Sequence, residues 1–209
     1  MPGVRVLKNP VLQGILTRLR DRRTGYAEFR RLLYRAGVHV GYELSPHVPA
    51  REVEVETPLG ARARGVELLT ERAAVVAVLR AALPYAWGIA ETLEGAKLGV
   101  VAAKRREDAG RVWAEVHYLG LPSDSQLVVL ADPMLATGST LAAVIGRLKA
   151  EYGYKELVVA TIISTPIGVE RVLEAEPAAT IYALAVDEEL DERAFIVPGL
   201  GDAGDRAFG

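Results

Sequence analysis

Residues 126–140 read QLVVLADPMLATGST: an apolar run, one carboxylate, a loop of small residues and hydroxyls, then the start of a helix. The run 127–130 is β-rich and apolar throughout, as in a strand buried on both faces of a parallel sheet. Asp132 stands at its end, and Pro133 cannot continue the ladder. Thr137, Gly138, Ser139 and Thr140 open the helical pattern Leu141, Ala142, Val144, Ile145, Leu148. Such a turn offers unpaired N–H groups and the positive end of a helix dipole to an anion. A carboxylate beside it repels phosphate, so Asp132 is expected to hold sugar hydroxyls or a metal instead. The ligand that suits both is a ribose phosphate. A plainer reading of the same residues is an ordinary strand–loop–helix turn in which Ser139 or Thr137 caps the helix.

A second glycine-rich segment closes the chain. Gly199, Gly201 and Gly204 match G-x-G-x-x-G after an apolar run at 195–197, but only five residues follow. A dinucleotide site needs a helix and a crossover to a partner strand beyond the glycines, so the match is false for that chemistry. Pro198, three glycines and two aspartates still call for an explanation. Glycine lets backbone N–H and C=O approach a ligand closely, and a planar base with alternating donors and acceptors can be read by such groups. A binding loop is therefore expected here, against the alternative of an irregular tail.

The elements that must position these segments follow from periodicity. Helical spacing runs over 11–20 and 26–42, with Gly37 and Gly41 as points where the second helix could fray. Short runs at 53–57 and 61–66 flank Pro58–Leu59–Gly60 and read as a hairpin. Strands are expected at 74–79, 97–102, 127–130, 157–163 and 180–186, and helices at 84–93, 141–152 and 166–174. The alternation predicts an α/β fold, a parallel sheet with helices on both faces, and binding at the carboxyl ends of its strands. Arg80 and Asp132 both fall at such ends. Residues 104–122 are charged, turn at Asp108–Ala109–Gly110 and then alternate, which predicts a protruding β-hairpin. It is either a mobile flap that brings Arg105 over an anionic substrate or a solvated surface hairpin.

Composition narrows the class. The 209 residues carry 25 Lys plus Arg against 27 Asp plus Glu, a net charge of −2, which argues against a nucleic-acid-coating protein. There is no Cys, so disulfides, zinc thiolates and thiol nucleophiles are excluded. His39, His47 and His117 lack metal-site spacing. No stretch resembles a signal peptide or spans a bilayer, so a cytoplasmic location is expected. One Asn, two Gln and two Met among many Arg and Glu match the usage of heat-adapted proteins.

The segments DPMLATGST (132–140) and FIVPGLGDAGDRAFG (195–209) together resemble the uracil phosphoribosyltransferases. The first is similar to their phosphoribosyl-pyrophosphate (PRPP) loop and the second to their uracil-binding hood. VLRAA (78–82) is similar to the pyrophosphate turn, and KRRED (104–108) to the flap. All four occur in the family's order over the whole chain. Ser139 and Ala82 stand where Gly is common, and Ala131–Asp132 replaces the two adjacent acids of other phosphoribosyltransferases, as in the uracil branch.

The resemblance implies one phosphoribosyltransferase domain: an arm over about 1–66, a core over about 67–186 and a hood over about 187–209. It implies pentosyl transfer in pyrimidine salvage: uracil plus PRPP gives uridine monophosphate (UMP) and diphosphate, with Mg²⁺ brought mainly by PRPP and no protein metal site. Arg80, Arg105 and Asp132 would be catalytic. PRPP would also meet Pro133, Met134, Leu135, Ala136, Thr137, Gly138, Ser139, Thr140 and Asp202; Arg106 is the alternative to Arg105. Uracil would meet Ile196, Gly201, Asp202 and Ala203. A homodimer or tetramer is implied, and GTP and CTP act as effectors in relatives. Rival readings are transfer to another base, an RNA-binding regulator on the same fold, and a member that has lost catalysis. No nucleic acid or membrane is expected as a partner.

Overall fold

The runs AAVVAV and LVVLA are buried at every position, which only the centre of a sheet covered on both faces allows. The computed structural model describes residues 3–108, 111–121 and 124–209, with the side chains of 105–108 and 111–112 outside that description. In chain order the elements are β1 (Val4–Val6), α1 (Pro10–Arg20), α2 (Tyr26–Leu44), β2 (Ala50–Glu56), β3 (Arg62–Leu68), β4 (Ala73–Val78), α3 (Ala82–Thr92), β5 (Lys97–Asp108) and β6 (Arg111–Gly120). There follow β7 (Leu127–Ala131), β8 (Met134–Leu135), α4 (Ser139–Glu151), β9 (Glu156–Ala160), β10 (Ile163–Ser164), α5 (Pro166–Ala175), β11 (Thr180–Ala183), β12 (Ala185–Val186), β13 (Glu189–Leu190), β14 (Ile196–Val197) and α6 (Ala203–Phe208).

Seven strands form the main sheet in the order β1-β11-β9-β7-β4-β5-β6, parallel except for the last pair. Alternate residues divide its faces. Val75, Ala77, Val129 and Val158 pack with α1, α2 and α3. Val76, Val128, Leu130 and Val159 pack with α4 and α5. Helices thus cover both faces, as the alternation of the sequence predicts. Leu12, Leu19, Phe29 and Leu32 of α1 and α2 are fully buried in the first layer, so these helices belong to the core. The β2–β3 hairpin stands apart, with Leu59 at its turn 94 % exposed.

Three expectations change in the structure. The strand predicted over 157–163 is two pieces, because at Ile162 and Ile163 the backbone N–H groups turn to the Pro133 carbonyl, both at 3.1 Å. The strand predicted over 180–186 divides in the same way. The displaced pieces β12, β10 and β8 form a small parallel sheet of their own. It lies past the carboxyl ends of β7, β9 and β11, the place where the binding segments begin.

The second change is at Gly37 and Gly41, where α2 does not fray but runs unbroken to Leu44. A Cβ on Gly37 would lie 2.1 Å from the Tyr85 carbonyl oxygen, and one on Gly88 2.1 Å from that of Tyr34. The two glycines let α2 and α3 meet backbone to backbone. Gly37→Ala is expected to destabilise the protein by about 2–3 kcal/mol through overpacking, read as a lowered midpoint in denaturant. The third change is β1, a short edge strand that pattern did not suggest.

The predicted flap is the distal part of β5 and β6, an antiparallel pair carrying the main sheet outward with a register shift between Ala102 and Ala103. Its root is tied to α4: Arg147 donates to the Val116 carbonyl at 3.0 Å and the Tyr152 hydroxyl to that of Leu119 at 3.2 Å. Of the turn assigned to Asp108–Ala109–Gly110, residues 109 and 110 lie outside the described residues.

Candidate active site

The β7 strand delivers Asp132 to the carboxyl end of the sheet, where the residue's N–H still bonds the Ala160 carbonyl at 3.1 Å. Its carboxylate Oδ1 accepts from the Met134 N–H at 3.1 Å, closing a tight turn. Enclosure by protein pushes the Asp132 carboxyl up to about 7, with desolvation the dominant cause and the Met134 bond opposing it. A carboxylate held this way has strong reason to accept a positive charge or several hydroxyl donors.

The segment after it turns at Gly138, in the left-handed region at φ +72°, and α4 begins at Ser139. No side chain caps this helix. Thr137 and Ser139 hydroxyls bond each other at 3.0 Å instead, so the capping alternative fails and the first N–H groups of α4 face the loop. Residues 134–141 and Asp132 enclose a cavity of about 110 Å³ at this point. A larger cavity of about 390 Å³ adjoins it, a size ordinary for a small-molecule site. Asp132, Met134, Ala136 and Thr140 line both.

The larger cavity brings in three other regions. Arg80, past the end of β4, is on its wall with Ala81. Its guanidinium is largely exposed, 3.4 Å from Asp205 Oδ1 and over the Phe208 ring at 6.0 Å, so it is no buried ion pair. Ala103 of β5 lines the cavity from the base of the flap. Ile196, Gly201, Asp202 and Ala203 line it from the C-terminal segment, with Phe195 adding an aromatic wall.

Most residues that the sequence singles out therefore converge. Leu135, Thr137, Gly138 and Ser139 line the smaller cavity alone. Pro133 lines neither, and its carbonyl instead anchors the start of β10. The Arg105 backbone pairs with Ala114, and its side chain lies outside the described residues. A helix does follow the glycine-rich loop, contrary to the expectation that too few residues remain. Asp202 caps it, accepting from the Asp205 N–H at 2.9 Å. It is only six residues long.

The family model for uracil phosphoribosyltransferase matches residues 6–209. The chain belongs to that family. A uracil phosphoribosyltransferase from Pyrobaculum arsenaticum is 48 % identical over 208 residues, with 98 % of each chain covered. Among solved structures, the AQ2163 protein from Aquifex aeolicus superposes with a TM-score of 0.88 at 31 % identity, covering 98 % of this chain and 97 % of its own. A purine phosphoribosyltransferase from Pyrococcus horikoshii, 19 % identical with a TM-score of 0.50 over 77 % of this chain and 91 % of its own, shares the fold.

Sequence reasoning missed the residues that hold the two loops of this uracil phosphoribosyltransferase family member in place. Thr165 caps α5, and its hydroxyl also donates to the Ala136 carbonyl at 2.6 Å. Gly168 lies under the 132–140 loop, where a Cβ would come within 2.4 Å of the Ala136 oxygen. The S-T-P-I-G run marks a helix start, but nothing in it reveals that this helix buttresses another loop. Asp187, Arg20 and Arg206 play the corresponding part beneath the C-terminal loop.

Proposed function

We propose that this chain transfers the 5-phosphoribosyl group of PRPP to uracil, a pentosyl transfer that yields UMP and diphosphate and serves pyrimidine salvage. The observation that carries the reading is the continuity of the two cavities across Asp132. One cavity is built of helix N–H groups and hydroxyls, and the other of a glycine-rich backbone loop. The 5′-phosphate would rest on N–H groups and hydroxyls over 136–140. Asp132 would accept from the ribose hydroxyls and stabilise the ring as it gains oxocarbenium character. Arg80 and Arg105 would neutralise the departing diphosphate. Backbone groups at Ile196 and over 201–203 would read the edge of uracil. Cytosine reverses one donor and one acceptor there, and each buried unpaired group costs on the order of 1–3 kcal/mol.

No general base is required by this arrangement. Rate enhancement would come from positioning and charge stabilisation. Among the described residues no three His, Cys, Asp or Glu converge on a metal site, while Asp132, Asp202 and Asp205 line the larger cavity. That donor set suits a magnesium ion carried by the diphosphate, since Mg²⁺ keeps water and phosphate oxygens as ligands and takes one or two carboxylates. Asp132 and Asp202 would share it, and its charge would offset that of the leaving group.

Among the described residues no helix is long and apolar enough to cross a membrane, and the net charge of −2 weighs against a nucleic-acid-binding regulator. A homo-oligomer is supported by the β2–β3 hairpin, whose Val55, Val66 and Leu68 are exposed. Sedimentation equilibrium checks it. Effector control by GTP and CTP rests on the family relation alone. The deciding experiment supplies Mg²⁺, PRPP and, in turn, uracil, cytosine, orotate and hypoxanthine. UMP from uracil with negligible product from the others is the expected result. Product from another base, or from none, overturns the reading.

A further inference from the structure

The C-terminal loop is fixed from below by groups that lie outside the cavity. At the end of α1, Arg20 makes a bidentate pair with Asp187, Nη1 to Oδ2 at 2.7 Å and Nη2 to Oδ1 at 2.8 Å. The same two side chains bracket one residue of the loop, taking up a backbone group on either side of its Cα. Gly199 N–H donates to Asp187 Oδ2 at 3.0 Å, and Arg20 Nη1 donates to the Gly199 carbonyl at 2.9 Å. Asp187 is only 7 % exposed, so the pair works at low dielectric, where charge-assisted bonds hold direction well. Gly199 has φ +58°, and a Cβ there would sit 1.9 Å from the carbonyl oxygen of Ile196, a cavity-lining residue. The bracketed residue therefore packs directly against the backbone of Ile196.

The next carbonyl is held from the same platform. Arg206 donates to the Leu200 oxygen at 2.7 Å, and also to the Leu19 and Asp21 carbonyls at the end of α1. Its guanidinium lies over the Phe29 ring at 4.3 Å. The carbonyls of Gly199 and Leu200 are thus engaged by arginines beneath the loop, while Gly201, Asp202 and Ala203 line the cavity. Asp187 is also the residue after β12, and its N–H bonds the Ser164 carbonyl at 2.8 Å. Through β10 and β8 the loop is keyed to the small sheet that includes Met134 and Leu135 of the phosphate loop.

We infer that Arg20 and Asp187 are positioning residues for the base: their paired grip on Gly199 sets the register in which the loop meets uracil. The inference rests on the proposed transfer to uracil and adds residues from α1 and from the strand before the hood to that specificity. A pair that only held the fold together would lower stability and leave the balance between the two substrates untouched.

The test compares the wild-type protein with Arg20→Lys and Asp187→Asn, each assayed below its own melting midpoint. Lys keeps the charge but cannot bond Asp187 and Gly199 in the same fork. Asn keeps an oxygen toward Gly199 but removes the charge. The expected result is a KM for uracil raised roughly 10-fold or more, with the KM for PRPP within about twofold. The preference for uracil over cytosine in kcat/KM should also fall several-fold. Equal changes in both KM values, or lowered stability with unchanged kinetics, overturns the inference while leaving the transfer to uracil standing. So does failure of both variants to fold. Absence of UMP synthesis by the wild-type protein overturns the functional reading, and the inference with it.

Discussion

Asp132→Asn is expected to lower kcat by about 10³-fold while making the folded protein more stable above pH 7. The first effect follows from where the charge sits. In the proposed transfer positive charge develops on the ribose ring, and Asp132 is the carboxylate common to the two cavities. A fixed negative charge in a water-poor site acts without solvent reorganisation, and removing one such contribution costs on the order of 10²–10³-fold or more in rate. Asn preserves the shape and can still accept from the Met134 N–H, so the loss reports charge and not collapse of the loop.

The second effect follows from the raised pKa. The folded carboxyl titrates at about 7, whereas an unfolded aspartate titrates near ~3.9. Between those values the folded protein keeps a proton that the unfolded chain has released. Stability therefore falls as pH rises from about 4 to 7, and the full penalty, on the order of 2–4 kcal/mol, remains at higher pH. Asn carries no such penalty. Its melting temperature should exceed that of the wild type at pH 8 and approach it near pH 4. In the wild type, kcat/KM for PRPP should decline as pH drops below about 7, since protonation removes the useful charge. A variant with near-normal turnover, or one less stable at pH 8, removes Asp132 from this role.

What could be read in the sequence were features with a local cause. The apolar runs read at 74–79 and 127–130 are central strands, Ala73–Val78 and Leu127–Ala131, and Asp132 followed from the place where the second one stops. The 132–140 loop stood out as a candidate anion site because small residues and hydroxyls before a helical pattern expose N–H groups, although the same residues also read as a plain helix cap. The C-terminal loop was visible because glycines at a chain end need a reason. The capping alternative survived until the structure showed Thr137 and Ser139 bonded to each other.

What stayed hidden depends on contacts far apart in the chain. Arg20 and Asp187 are 167 residues apart, and each looks like an ordinary charged surface residue on its own. Gly37 and Gly41 read as points where one helix could fray, until Gly37 is seen against Gly88 at the crossing of α2 and α3. The break at Thr161 was missed because Ile162 and Ile163 continue an apolar β pattern, and only the Pro133 carbonyl across the sheet explains why they leave it. In each case the deciding partner comes from another element, which periodicity does not encode.

Gly138→Ala is expected to raise the KM for PRPP about 10–100-fold with a smaller effect on the KM for uracil. Two costs act on this residue together. Its φ of +72° lies where an L side chain loses roughly 1–2 kcal/mol. In addition, a Cβ would lie 2.6 Å from the Gly168 carbonyl oxygen and 3.1 Å from the Gly168 Cα. Those are backbone atoms at the first turn of α5, which cannot swing aside as a side-chain tip can. The Thr165 hydroxyl already ties that turn to the Ala136 carbonyl, and a Cβ on Gly168 would itself strike the Ala136 oxygen. Relief must therefore come from moving the phosphate loop and the first N–H groups of α4 outward. A displacement of about 1 Å at groups that position a substrate is worth on the order of 100-fold. The C-terminal wall of the larger cavity follows this shift less, because Arg20 and Arg206 hold the Gly199 and Leu200 carbonyls from beneath. The two KM values, measured with the other substrate saturating, distinguish this loop-specific effect from general loss of fold, which would lower active-enzyme concentration and leave both KM values where they were.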